Sequence, residues 1–392
     1  MPKISFDNTE VAFADKTTAE LRRALWLFRF IGNTSLVKFS APFVTTAFKT
    51  GLPVKRIVKS TVFHHFCGGE NINECEPAIS KLWNSHIGTI LDYSVEGQQK
   101  ESDFENTCGE ILRIIDKASG DERIPFSVFK TTGIARLELL ETVSAGKNLS
   151  SKEQEEFNRI KQRVEKICSH AFEKNVPVFF DAEETWIQKC IDDMADEMMY
   201  RFNKEKAIVF NTIQLYRTDR LDYLSITIEH ARTNGYVAAF KLVRGAYHEQ
   251  ETLRATQMGY AIPVFGKKYE TDSAFNQSLE ICVDNIDCVA ICNGTHNEKS
   301  CELLVELMQK KNISPANKRI WFAQLYGMSD HISYNLSKAG YNVAKYVPYG
   351  KVEAVLPYLI RRAQENKSVA GQSSRELSLI MTELKRRKEI KS

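Results

Sequence analysis

Eight short runs of β-branched and aromatic residues recur along the chain, and each is followed by a segment with helical periodicity. Alternation of strongly apolar strands with helices is typical of a parallel sheet covered by helices. Eight such units predict an α/β fold closed into a (β/α)8 barrel of the TIM type. An open doubly wound sheet is the alternative, but it has fewer strands and a G-x-G-x-x-G turn, which this sequence lacks. The runs begin at Gly88, Ile124, Val176, Ala207, Tyr236, Cys288, Ile320 and Asn342.

Helical segments flank the predicted barrel on both sides. We expect an N-terminal helical arm over 1–85, the barrel over 86–368 and a C-terminal helical tail over 369–392. The arm has amphipathic stretches at 17–32 and 73–83.

Two helix starts carry the pattern of a capping box, a Ser followed three residues later by Glu or Gln. We predict one helix from Ser151 with Gln154 as partner, and the tail helix from Ser373 with Glu376 as partner. Pro357 favours the first turn of a further helix that extends to Asn366.

Composition excludes several classes of protein. The 392 residues include 53 Lys and Arg against 50 Asp and Glu, and this near balance does not indicate nucleic-acid binding. Nine cysteines without a C-x-x-C pair predict reduced core residues and no metal site. Neither a signal peptide nor an 18-residue apolar span is evident, so we expect a cytoplasmic chain. The basic cluster at 385–391 leaves peripheral contact with a membrane open.

Chemically capable side chains stand where the predicted strands end, which is where barrel enzymes place their active sites. Charged residues at consecutive ends are costly to bury unless they are paired, so this pattern favours an enzyme over a scaffold. Residues of this kind are Asp92, Lys130, Asp181, Glu183, Gln214, Tyr216, Lys241, Arg244, Tyr247, Thr295, His296, Gln324, Tyr326 and Tyr346.

A pair of arginines, Arg361 and Arg362, follows the eighth run within a helical segment. Adjacent helix positions are about 100° apart, so the two guanidinium groups can straddle one small anion. Paired arginines suit a carboxylate or a phosphate through bidentate hydrogen bonds. Glu365 lies four residues after Arg361 and can hold it. A solvent-exposed surface pair is the alternative.

The motifs in and around the predicted strands closely resemble the proline dehydrogenase family. The resemblance covers roughly residues 55 to 390 and implies a distorted (β/α)8 barrel that binds FAD and oxidises L-proline to Δ1-pyrroline-5-carboxylate. The matching motifs are FCGGENINECEPAI (66–79), GTILDYSVEG (88–97), FSVFKTTGIARLELLE (126–141), VPVFFDAEETWIQ (176–188), NTIQLYRTD (211–219), KLVRGAYHEQE (241–251), GTHN (294–297), FAQLYGMSD (322–330) and YVPYGKVEAVLPYLIRRAQEN (346–366).

The resemblance also implies roles for individual residues. Arg361, Arg362 and Lys130 would bind the proline carboxylate, and Glu365 would pair with the first arginine. Asp181 would be the active-site carboxylate, Tyr346 would pack on the substrate ring, and Tyr247 would line the pocket. Lys241, Arg244 and His296 are candidates for stabilising the reduced flavin. The implied cofactor contacts are Ala182, Gln214, Arg244, Gly245, Ala246, Lys268, Thr295, His296 and Gln324.

Two positions depart from many family members. Many bacterial members have Arg at the position of Lys241 and Lys at the position of Arg244, and here the two are exchanged. The exchange keeps the charge at both positions but removes a bidentate guanidinium group at 241. Gly294 stands where alanine is commoner.

Other functions remain open from the residues alone. A Schiff-base aldolase using Lys130 and a metal-dependent hydrolase using Asp181, Glu183 and His296 are rival chemistries. A barrel that only binds partners is a third. Within the same family, hydroxyproline or another cyclic imino acid is an alternative substrate, and a membrane quinone is the expected electron acceptor. The oligomeric state is not predicted.

Overall fold

The computed structural model describes residues 4–32, 55–94, 98–368 and 372–390. Within these ranges the side chains at 31–32, 362–368 and 372–374 are outside the description.

Eight parallel strands form a closed barrel in sequence order, which confirms the predicted (β/α)8 fold. Each strand lies within one of the eight predicted runs or overlaps most of it. The strands are β1 (Ile87–Tyr93), β2 (Phe126–Lys130), β3 (Val178–Asp181), β4 (Val209–Gln214), β5 (Ala238–Val243), β6 (Val289–Gly294), β7 (Ile320–Leu325) and β8 (Val343–Tyr349).

Helices precede β1, follow every strand and end the described chain. The helices are α1 (Thr9–Ala12), α2 (Thr18–Gly32), α3 (Lys55–Val58), α4 (His64–Phe66), α5 (Glu76–Trp83), α6 (Glu101–Ala118), α7 (Leu137–Ser144), α8 (Ser151–Lys174), α9 (Thr185–Phe202), α10 (Arg220–Asn234), α11 (His248–Met258), α12 (Lys268–Asp284), α13 (Glu298–Lys310), α14 (Asp330–Lys338), α15 (Val352–Ser368) and α16 (Gln372–Glu389). A π-helical turn, Lys59–Phe63, joins α3 to α4, and short 3₁₀ turns cover Asn73–Cys75 and Thr131–Gly133.

The chain divides into two compact units. The central unit comprises residues 97–323, and the terminal unit comprises residues 1–96 and 324–392. The terminal unit combines the two ends of the sequence because β1 pairs with β8, in a register that runs from Ile87 opposite Val343 to Tyr93 opposite Tyr349. The domain limits expected from sequence, at 85 and 368, stay predictions.

Stacked aromatic rings fill the core of the central unit near the beginnings of its strands. The ring centroids of Phe126 and Phe179 are 4.5 Å apart, and those of Phe179 and Phe210 are 5.2 Å apart. Trp321 meets Phe126 edge-on at 5.1 Å. Such layers of large side chains make the interior of a barrel a packed core, which leaves the opposite strand ends for polar residues.

Helices from both ends of the described chain pack together in the terminal unit. Phe13, Leu21 and Phe28 form one buried cluster with Leu379 and Ile380 of α16. The arm and the tail therefore stabilise each other through apolar burial, which contributes about 25 cal/mol per Å2 removed from water.

The nine cysteines form no disulfide in the structure, and eight of them are buried, which is the core position that the sequence predicts. Burial raises the pKa of the Cys190 and Cys292 thiols to about 12.

The predicted start of α8 at Ser151 is confirmed, but its predicted capping box and the predicted start of the tail helix are wrong. The capping box of α8 uses Ser150 and Glu153, one residue earlier than Ser151 and Gln154. A charged partner near a helix N-terminus is favoured over a neutral amide by the helix dipole. In the tail, α16 begins at Gln372, and the Glu376 carboxylate accepts a hydrogen bond from the backbone N–H of Ser329 instead of capping its own helix. The Ser373 side chain lies outside the described residues.

The helix after β8 begins earlier than predicted. It starts at Val352, so Pro357 lies inside it. A proline there removes one backbone hydrogen bond. Val352, Val355 and Leu359 are buried in one apolar cluster, and this burial offsets the loss.

Candidate functional site

A buried ion pair joins two strands of the central unit near their carboxyl ends. Lys241 on β5 donates to Asp181, the last residue of β3. The side chains are only 6% and 15% exposed, respectively. The Lys241 ammonium also lies 5.3 Å from the centroid of the Phe179 ring. The structure thus brings together two residues that the sequence predicts for the active site.

Gln214 at the end of β4 is buried and tied to the segment after β3. Its Nε2 donates a 2.6 Å hydrogen bond to the backbone carbonyl of Glu183. The Glu183 carboxylate in turn accepts from Thr132, through the backbone N–H at 2.9 Å and through the hydroxyl. Three consecutive strand ends are therefore connected through Glu183, which the sequence indicated as a polar strand-end residue and as a ligand for a rival metal site.

Glu183 has an unusual electrostatic environment. Burial raises its pKa to about 7, against the opposing effects of the Lys130 ammonium and the Thr132 donors. A carboxyl group of this kind changes charge near neutral pH, which is typical of functional sites but also occurs in structural networks.

Arg244, which follows β5, is held by three side chains. Its Nε donates to Asp272 at 2.7 Å, and its two terminal nitrogens donate to Thr295 at 2.7 Å and to Ser300 at 2.9 Å. The guanidinium carbon lies 4.3 Å from the centroid of the Phe275 ring. The structure thus brings together Arg244 and Thr295, two of the proposed cofactor contacts, whereas the sequence analysis missed Asp272 and Ser300 because they lie on helices.

Lys268 is the most exposed of the predicted basic residues of the central unit. Its side chain is 61% exposed and donates to Asp272 at 2.6 Å, four residues along α12. Burial alone would raise the pKa of Asp272, but Lys268 and Arg244 together lower it. Lys268 therefore shares a carboxylate partner with Arg244 and lies on the surface.

The turn after β5 has a backbone conformation that requires glycine. Gly245 has φ +116°, and a Cβ there would lie 2.3 Å from the Tyr216 ring. Gly245 and Ala246 are exposed. The buried Tyr216 hydroxyl has no hydrogen-bond partner among the described residues. This turn presents backbone groups to solvent beside an aromatic ring.

The remaining predicted residues of the central unit also lie at strand ends. Lys130 is the last residue of β2 and pairs in register with Asp181. Ala182 follows Asp181 directly, and His296 follows Thr295 after β6. Lys130, Ala182, His296 and Tyr247 are all half-buried.

The terminal unit carries the other predicted residues. Tyr346 is buried on β8, and its carbonyl accepts from the Tyr326 N–H at 2.8 Å. Gln324 is buried on β7 and accepts a 2.8 Å hydrogen bond from the Ser333 hydroxyl. Arg361 is half-buried in α15. The side chains of Arg362 and Glu365 lie outside the described residues.

A buried ionic network in the terminal unit was not predicted. Asp330 pairs with Lys345 at 2.6 Å and also with Lys16 of the N-terminal arm. Burial would raise the pKa of Asp330, but the two ammonium groups lower it well below its usual range. A nearby cavity of about 240 Å3 is lined by Lys16, Asp330 and Tyr326, and Tyr326 is the one strand-end residue of the sequence analysis among its described lining.

Two further properties concern the described part of the chain only. No group of three or more His, Cys, Asp or Glu within it could hold a metal ion. None of its helices combines the length and apolar character that crossing a bilayer requires.

These features define a class of protein. A closed (β/α)8 barrel with paired charges at the ends of its strands is the arrangement of a barrel enzyme. A solved structure, proline utilization A from Bdellovibrio bacteriovorus, shares the fold with a TM-score of 0.71 at 20% identity, over 93% of this chain and 37% of that one. This chain therefore spans well under half of that protein.

Sequence comparisons place the chain more narrowly. The family model described as proline dehydrogenase matches residues 75–375. Relatives that are each 32% identical include proline dehydrogenase 2, mitochondrial, of Arabidopsis thaliana (85% of this chain, 79% of the relative), the carbapenem antibiotics biosynthesis protein CarD of Pectobacterium carotovorum subsp. carotovorum (82% and 83%) and hydroxyproline dehydrogenase of Xenopus laevis (98% and 90%). The chain belongs to the proline dehydrogenase family.

Proposed function

We propose that this protein oxidises L-proline to Δ1-pyrroline-5-carboxylate with FAD as its cofactor. The observation that carries the proposal is the family match over 75–375, which includes all eight strands of the barrel. The paired charges at the strand ends of the central unit support an enzyme rather than a scaffold.

The residues at these strand ends suit a flavin. Lys241 supplies a cation, Gln214 supplies an amide, and the exposed turn at Gly245 and Ala246 offers backbone N–H groups. A side chain at 245 would meet the Tyr216 ring, so the glycine keeps this surface open. When bound, FAD supplies a hydride acceptor for the carbon next to the ring nitrogen. Ala182, Arg244, Thr295, His296, Gln324 and the exposed Lys268 are the further proposed contacts.

The substrate carboxylate requires cations that fix its orientation. We assign this role to Arg361, Arg362 and Lys130, with Glu365 as the partner of Arg361. Bidentate arginine contacts add geometric precision as well as binding energy. Tyr346 would pack on the ring of the substrate and Tyr247 would line the pocket.

The amine of the substrate must lose its proton before hydride transfer. Nearby cations and low polarity both favour the neutral amine. The Asp181 carboxylate is held by Lys241, which supports a role in organising the site rather than in accepting that proton.

The electron acceptor and substrate preference are finer proposals. We assign a membrane quinone as acceptor on the family resemblance, and reduction of a short-chain quinone by the proline-reduced protein tests it. Similarity to hydroxyproline dehydrogenase makes hydroxyproline the second candidate substrate.

A visible spectrum of the purified protein, before and after anaerobic addition of substrate, tests the proposed function. We expect a flavin band that L-proline bleaches faster than hydroxyproline does. A protein that stays colourless when supplied with FAD would overturn the proposal. Bleaching by hydroxyproline alone would select the second candidate, and borohydride trapping of substrate on Lys130 would support an aldolase.

A further inference from the structure

Glu183 lies where three strand ends of the central unit meet. Its carboxylate is buried and accepts two hydrogen bonds from Thr132, one from the backbone N–H at 2.9 Å and one from the hydroxyl. Thr132 is two residues after Lys130, within the 3₁₀ turn that follows β2. The carboxylate therefore fixes the backbone that carries Lys130.

The backbone of Glu183 is fixed as well. Its N–H donates to the Gln188 side-chain oxygen at 2.8 Å, and its carbonyl accepts from Gln214 at 2.6 Å. The Gln188 amide donates onward to the buried Asp192 at 2.8 Å. Glu183 is thus held by a continuous buried network and cannot shift without disturbing Gln214.

We infer that Glu183 is a positioning residue for the reaction, which sets the place of the Lys130 ammonium at the end of β2 and of the Gln214 amide at the end of β4. The inference rests on the proposed function, in which Lys130 binds the substrate carboxylate and Gln214 contacts the cofactor. Lys130 also pairs in register with Asp181, two residues before Glu183.

Packing alone does not explain why residue 183 is a glutamate. Burying a charge is costly, and an apolar residue would fill the space more favourably if packing alone mattered. The charged groups that act on Glu183 are Lys130 from the end of β2 and the adjacent Glu184. Lys130 stabilises the charged form, so the two residues are electrostatically coupled as well as linked through the turn.

Glu183→Ala, with Glu184→Gln as the matched control for a neighbouring acid, tests this role. We expect Glu183→Ala to raise the KM for proline about 10- to 100-fold while kcat falls less than about fivefold, because the lost contacts orient a binding group. Glu183→Gln should recover part of the loss, since its amide oxygen still accepts the Thr132 N–H. The control should leave both constants within about twofold of wild type.

A second measurement does not depend on turnover. The rate at which an amine acylating reagent modifies Lys130, followed by mass spectrometry in the cofactor-free protein, reports the freedom and basicity of that amine. We expect Glu183→Ala to raise this rate about three- to tenfold, because the turn that carries Lys130 loses its two hydrogen bonds to the Glu183 carboxylate and the amine becomes freer to react. If Glu183→Ala does not fold, Thr132→Val removes one of the two bonds and should act in the same direction.

The outcomes separate the two proposals. An unchanged KM together with an unchanged Lys130 modification rate would overturn the positioning role, even if the variant were less stable. A wild-type protein that proline does not reduce, but whose Lys130 modification rate responds to Glu183, would overturn the proposed function and retain the structural coupling.

Discussion

The ammonium of Lys241 and the carboxylate of Asp181 form a buried ion pair between β5 and β3, across the end of β4. Solvent stabilises neither charge to any large extent, because the Lys241 side chain is 6% exposed and the Asp181 side chain is 15% exposed. The ion pair therefore offsets part of the cost of burying the two charges.

Replacing one member of this ion pair should lower the unfolding free energy more than replacing both members. Lys241→Met leaves the Asp181 carboxylate buried without its partner, which costs about 3–5 kcal/mol of unfolding free energy. The double variant Lys241→Met, Asp181→Leu should recover most of that loss. Urea unfolding followed by circular dichroism measures four proteins: wild type, Lys241→Met, Asp181→Leu and the double variant. Strictly additive single-variant effects would contradict the expected coupling.

The turn at Gly245 should tolerate no side chain. Gly245→Ala combines φ +116° with a Cβ at 2.3 Å from the Tyr216 ring, so the loop must move. Gly259→Ala is the matched control, because φ is +74° there and nothing lies within 4 Å of the added atom. We expect about 1 kcal/mol of destabilisation for the control and several-fold more for Gly245→Ala. Equal effects in thermal unfolding would refute the clash.

Replacing Arg244 with lysine should destabilise the protein even though the substitution keeps the positive charge. Arg244→Lys cannot keep hydrogen bonds to Asp272, Thr295 and Ser300 at once, and we expect a loss of about 2–3 kcal/mol in stability. Lys268→Ala removes only an exposed ion pair with Asp272 and should change stability by less than about 0.5 kcal/mol. Chemical denaturation of both variants checks the contrast, and similar losses would argue against it.

The buried Glu183 should make stability fall as pH rises. Its pKa is raised to about 7 in the folded protein, so its contribution is complete below the ordinary value of 4.5 and is lost as pH rises through 7. Relative to the non-titrating Glu183→Gln variant, wild type should lose up to ~3 kcal/mol between pH 4.5 and 8. Parallel unfolding curves for the two proteins across this range would show that Glu183 does not titrate there.

The buried His65 should make the stability of the protein fall as the pH falls, which is opposite to the pH dependence expected for Glu183. Burial, with a contribution from Lys16, lowers its pKa to about 4, and its Nε2 donates to the Gly327 carbonyl at 2.9 Å. The contribution of neutral His65 is therefore present above pH 6.5 and lost as pH falls towards 4. His65→Gln should flatten this acid limb, whereas His64→Gln, at an exposed neighbouring position, should not. Unfolding free energies at pH 4 to 7 measure the difference.

The barrel was predictable from sequence because its strands are short, apolar and bounded by polar ends. The runs that contain Lys130 and Asp181 display both features, and the structure places these two residues at the ends of β2 and β3. Lys241 lies two residues before the end of β5. The pairing of Lys241 with Asp181 was not predictable, because register and side-chain direction depend on how neighbouring strands align.

The sequence-based predictions of helix caps and helix starts were wrong where two local patterns compete. The stretch from Ser150 to Gln154 contains two overlapping capping boxes, and the choice between them depends on a small difference in helix-dipole energy. The predicted helix start near Pro357 was wrong because burial of Val352 and Val355 stabilises the helix more than the preference of proline for a first turn opposes it. The roles of Glu183 and Asp330 were missed since they depend on partners far away in sequence.

The pairing of the first strand with the last has a consequence for biosynthesis. On the ribosome, β1 (Ile87–Tyr93) emerges long before its neighbour β8 (Val343–Tyr349). An unpaired strand edge is a template for unwanted association. The nascent chain must keep this edge protected until β8 has been made, so slowing translation just before residue 343 should increase its demand for chaperones.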